Sequence, residues 1–146
     1  MSNSLVYPVV AGLAAGIVLI VAFSFYAPSV APSVINSTPQ TSVVIIPNGS
    51  SQQSAQIYLI PKTIHVAIGL NNTVKWMNED NVGDSIVSDT NYVDPVSGNF
   101  STFAQLKSGY ILPNQTFSFT FTQPGQYDYH EVPHPFAQGT VIVSTP

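Results

Sequence analysis

Apolar and polar positions change their rhythm twice along this chain. From Leu5 to Ala27 the side chains are apolar or small with no charge among them. At about 1.5 Å per residue, a helix over that stretch reaches about 34 Å, enough to cross a hydrocarbon core. Residues 28–42 hold proline, serine and threonine without periodicity, the composition of an extended linker. Beyond them, short runs alternate between apolar and polar positions and stop at Gly, Pro or Asn signals. The runs are Val43–Ile46, Ile57–Ile60, Ile64–Ile68, Thr73–Met77, Ile86–Val87, Thr116–Thr122, Tyr127–Tyr129 and Val141–Val143. The clearest is TFSFTFT, with Phe117, Phe119 and Phe121 on one face and hydroxyls on the other. No window outside the first segment has a helical repeat. The pattern predicts an antiparallel two-sheet β-sandwich over residues 43–146, with Ile64, Val66, Trp76, Phe117, Phe119 and Phe121 in its core. The stretch Asp89 to Ser108 reads as a long surface excursion with solvated carboxylates at Asp89 and Asp94.

Charge sharpens the division. Only 7% of the 146 residues are charged, net charge is −4, and Lys62 is the first charged residue. The expected organisation is a transmembrane anchor over 1–27, a linker over 28–42 and a folded domain over 43–146. A cleaved signal peptide is the rival reading of the first segment, but MSNS lacks a basic leader and Ser29-Val30-Ala31 runs into Pro32. Gly12 and Gly16 make a small-residue stripe that permits close packing against another membrane helix, although glycine is common in such helices anyway. Asn36, Asn48, Asn71, Asn99 and Asn114 each open an N-x-Ser/Thr sequon. These are glycosylation candidates and favour an extracytoplasmic domain, single-pass and bound to the cell membrane.

Composition also excludes. There is no cysteine, so disulfides, thiol nucleophiles, cysteine zinc sites and copper–thiolate centres are ruled out. Three basic residues cannot form a phosphate-binding patch, which removes nucleic acid as a partner. No nucleophile–histidine–acid set, phosphate loop or HExxH pattern appears, so no enzyme activity and no small-molecule substrate is inferred.

Three segments carry a resemblance. WMNEDNVGDSIVS (76–88) resembles a W-x-N-x-D-x-x-x-H-T-V strand and loop. SGYILPNQTFSFTFTQPGQYDY (108–129) resembles P-G-x-x-F…F-x-x-P-G-x-Y-x-Y. HEVPHPFAQGTVIV (130–143) resembles Cys-x-x-His-Pro-x-Met-x-Gly-x-Val-x-Val. In this order they resemble the cupredoxins, the blue-copper family of plastocyanins and their archaeal relatives. The resemblance implies a Greek-key sandwich. Carried over by position, it puts Asp84 at the first histidine ligand, Glu131 at the cysteine, His134 at the second histidine and Ala137 at the methionine. A type 1 copper centre needs a thiolate and two imidazoles, and that set is missing.

Two readings of Asp84, Glu131 and His134 remain open. They form an oxygen/nitrogen site for one Cu(II) or zinc ion, or a degenerate site in which hydrogen bonds satisfy His134 and no cofactor is held. His130 is expected to face outward, His65 to lie on a solvated face, and Met77 to be core or flank. The leading expectation is an accessory or structural subunit of a membrane complex, by analogy with quinol-type oxidases whose subunit II keeps this fold without copper. The alternatives are a mononuclear metal or electron-transfer protein and a surface glycoprotein or filament component.

Overall fold

Alternation decides which residues face inward, and in the computed structural model, which describes residues 38–146, it does so in two facing sheets. The first contains β1 (Thr41–Ile46), β3 (Thr73–Asn78) and β7 (Thr116–Thr120), in the order β1-β3-β7. The second contains β2 (Thr63–Ala67), β4 (Val87–Ser88), β8 (Gly125–His130) and β9 (Gln138–Ser144), in the order β2-β9-β8-β4. A small hairpin, β5 (Val93–Asp94) and β6 (Gly98–Asn99), and one helical turn, α1 (Thr102–Gln105), complete the domain. The anchor, Gly12, Gly16, Asn36 and most of the linker lie outside the described residues. Within the described residues no helix is long and apolar enough to cross a membrane. β1 starts at Thr41, inside the segment read as linker.

The sheets are mixed, not purely antiparallel as expected. β1 runs parallel to β3 and β2 parallel to β9, while β3–β7, β8–β9 and β4–β8 are antiparallel. Side-chain alternation is the same for either direction, so it could not reveal this. The predicted strand at 57–60 is also absent. Ile60 makes a single bridge to Ile45, with N···O distances of 2.7 and 2.9 Å. Pro61 follows at once and has no N–H to extend a ladder.

The core is aromatic. Val74 and Trp76 on β3 lie opposite Phe119 and Phe117 on β7. Trp76 stacks on Phe117 at 5.6 Å and meets Tyr129 of the facing sheet edge-on at 5.4 Å. Val66, Phe117, Phe119 and Phe121 are buried as expected, whereas Ile64 is half-buried at the margin. The long excursion is not only surface. Its Phe100 is fully buried against Trp76, Phe119 and Phe121, with centroids 4.8–5.4 Å away. Gly139 on β9 faces Tyr129, and a Cβ there would lie 2.4 Å from the tyrosine hydroxyl, so only glycine leaves room for the ring.

Two buried aspartates tie loops to this core. Asp94, read from sequence as solvated, is 1% exposed. It accepts from the amides of Val96, Ser97 and Thr122 and from the hydroxyls of Thr122 and Tyr92, at 2.7–3.0 Å. Asp80 accepts from the amides of Gly49, Ser51 and Asn81 at 2.7–3.0 Å. Burial alone raises such a carboxyl, but the amide donors outweigh it and hold both pKa values down at about 2.

Because these folded-state pKa values lie below the ordinary 3.8, the stability they supply is full above that value. It is lost as pH falls toward about 2, with each group contributing about 2 kcal/mol. Thermal unfolding between about pH 5 and pH 2 should show this decline, and Asp94→Asn should make it shallower while lowering stability at neutral pH.

Candidate functional site

The site forms where two loops at one end of the sandwich are pinned together. At the end of β3, buried Asn78 donates from Nδ2 to the carbonyls of Val82 and Ile111, both at 2.7 Å, and accepts from the Asp80 amide at 2.7 Å. Asp84 is then fixed by a two-way backbone bridge to Ile111, at 3.1 and 2.7 Å. On the other side, the Glu131 amide donates to Ala137 at 3.1 Å and the Ala137 amide to His134 at 2.8 Å, closing the loop after β8. The Val132 amide donates to Ser85 Oγ at 3.0 Å and joins the loops directly.

These ties bring together Asp84, Glu131 and His134. His134 Nδ1 lies 3.0 Å from Asp84 Oδ1 and 3.2 Å from Glu131 Oε2. Both carboxyl side chains are 0% exposed and the imidazole is 16% exposed. Asp84 Oδ2 and Glu131 Oε1 have no hydrogen-bond partner, and neither do the nearby buried Tyr129 hydroxyl and Trp76 Nε1. No lysine lies within ion-pair distance of either carboxyl. Burial, reinforced by the charge of Asp84, pushes Glu131 up to about 9. Burial raises Asp84 as well, although hydrogen bonding to Glu131 and the charge of His134 pull the other way. Burial beside Asp84 thus favours the neutral form of Glu131.

The remaining candidates fall elsewhere. His130 faces outward and pairs through Nδ1 with Asp89 Oδ1 at 2.5 Å, so Asp89 is not simply solvated. His65 is exposed on β2, and Met77 is half-buried on β3 between Ile45 and Thr116. Ala137, at the position matched to methionine, is fully buried and brings no donor atom. Asn48, Asn99 and Asn114 are exposed, whereas Asn71 is half-buried and its Oδ1 accepts from the Ala67 amide at 2.7 Å. Sequence reasoning passed over Asn78 and Ser85, the side chains that hold the loops. It also missed the unpartnered Tyr129 hydroxyl, although Tyr129 and Glu131 sit two residues apart on one face, a spacing visible in the sequence.

A family model described as copper binding proteins, plastocyanin/azurin family, matches residues 48–144. The chain belongs to that family. It is 38% identical to amicyanin of Paracoccus denitrificans over 80 residues, 55% of this chain and 53% of the relative. It is 32% identical to amicyanin of Paracoccus versutus over 86 residues, 59% of this chain and 57% of that one. The chain thus spans about half the length of these curated relatives. A purple cupredoxin from Nitrosopumilus maritimus superimposes with a TM-score of 0.54 at 29% identity, over 70% of this chain and 99% of the other. The copper implied by the family does not fit here as a type 1 centre. The chain has no cysteine, and a type 1 centre requires a cysteine thiolate. This is a cupredoxin-like domain without a type 1 site.

The raised Glu131 pKa has a stability consequence opposite to that of Asp80 and Asp94. A folded pKa above the ordinary 4.5 supplies stability that is full below that value and is lost as pH rises toward about 9. Chelator-treated protein should melt at progressively lower temperature across that range, and Glu131→Gln should flatten the profile.

Proposed function

We propose that this chain is an accessory, structural subunit of a membrane complex of the respiratory or oxidase type. In this reading the cupredoxin-like domain faces the extracytoplasmic side, is carried on the uncharged Leu5–Ala27 span, and is neither an enzyme nor an electron carrier. One observation carries the proposal: the chain has no cysteine, and the positions that the resemblance matches to three of the four family ligands, Asp84, Glu131 and Ala137, supply no sulfur. Without a thiolate there is no covalent Cu–S bond to tune a fast one-electron couple. A fold that remains well packed without that chemistry is suited to presenting a surface. Beside the site Val132 is 47% exposed, and Ile57, 56% exposed, lines a shallow groove with Phe136, whose ring lies 5.9 Å from that of His134, aliphatic surface suited to a protein partner.

Two measurements test this. Affinity purification of the full chain from membranes in mild detergent should recover other membrane subunits in fixed ratio, and a lone monomer overturns the reading. Added Cu(II) should give the wild type no blue colour, whereas the triple variant Asp84→His, Glu131→Cys, Ala137→Met should gain an intense charge-transfer band. A folded triple variant that stays colourless overturns the correspondence of ligand positions.

A further inference from the structure

The site has lost its sulfur, yet its donors have not drifted into an inert hydrogen-bonded cluster. An inert cluster saturates its buried polar atoms, because each unmet one costs about 1–3 kcal/mol. Here Asp84 Oδ2 and Glu131 Oε1, on side chains that are 0% exposed, meet no donor from outside the carboxyl pair. His134 Nδ1 supplies at most one proton and a neutral Glu131 one more, so the four carboxyl oxygens are still not all met.

We propose that Asp84, Glu131 and His134 form a site for one divalent cation of the zinc class, held by two carboxylate oxygens and His134 Nδ1, with a fourth position open to solvent beside the imidazole. The spacing suits such an ion. Zinc–ligand bonds of about 2.0–2.1 Å in tetrahedral geometry separate neighbouring donors by about 3.3 Å. The observed separations from Nδ1 are 3.0 and 3.2 Å, and one donor atom from each of the three residues lies within 4.8 Å of the others. Charge suits it too. Two carboxylates, a neutral imidazole and a divalent ion sum to zero in a place no lysine reaches. Calcium and magnesium are disfavoured, because they require six or more oxygen ligands or several waters, and a central nitrogen suits neither. The partly exposed imidazole edge gives the ion its way in. This inference goes beyond the accessory role and stands or falls separately from it.

The test is a zinc titration of the full chain, stripped by chelator and held in mild detergent, against a chromophoric competitor. One equivalent should bind, and excess Ca²⁺ or Mg²⁺ should not displace it. Asp84→Asn and Glu131→Gln, both close to isosteric, should each weaken binding about 100-fold or more, with an unchanged near-ultraviolet signal from Trp76 showing that the core is intact. Co²⁺ in the same site should give the intense visible absorption of tetrahedral coordination. Retention of less than about a tenth of an equivalent of Zn²⁺, wild-type affinity in the folded variants, or a weak octahedral Co²⁺ spectrum would each overturn the proposal.

Discussion

Two carboxyl groups withdrawn from water and facing one imidazole set the terms for this end of the molecule. Each would shed a proton readily in water, and neither can do so freely where no lysine approaches. The arrangement persists because the surrounding backbone leaves the side chains little choice. The bridge between Asp84 and Ile111, the loop closure from Glu131 to Ala137 and the contact from Val132 to Ser85 fix the main chain first. The polar groups are then held close despite the electrostatic cost, which is how a preorganised site differs from a surface ion pair.

Behind this cluster the aromatic core supplies rigidity. Trp76 belongs to one sheet, Tyr129 to the other, and Phe100 enters from the excursion between β4 and β7 to touch both. Large flat side chains bury much area with few rotatable bonds, so a domain of this size holds together without disulfides. The same packing places Tyr129 near the end of β8, two residues before Glu131 in the loop that follows, and the site inherits the order of the core.

Much of this could be read from the chain alone, where the physics was local. The alternation of Phe117, Phe119 and Phe121 gave a strand and its buried face, and the three segments resembling the blue-copper family placed Asp84, Glu131 and His134 at matching positions. What could not be read depends on non-local partners. Ile57–Ile60 has the pattern of a strand but stops at Pro61 after one bridge. Strand direction leaves no mark on alternation, so an antiparallel sandwich was expected where β1 runs parallel to β3 and β2 parallel to β9. Asp94 looked like any loop carboxylate until Thr122, 28 positions further on, came back to donate two hydrogen bonds to it. Local sequence could hardly have shown that Phe100 fills the space between the sheets.

Gly139 illustrates how an unremarkable position can govern a distant property. It lies one pair from the end of the β8–β9 ladder, needs no unusual backbone angle, and carries no chemistry. Yet the phenol ring of Tyr129 on the neighbouring strand of the same sheet occupies the volume that its missing side chain vacates. Even an alanine would have to lever that ring aside, and the displaced strand leads directly into the glutamate that lines the polar cluster. The smallest residue at this end of the domain thus constrains the polar cluster through the space it leaves empty.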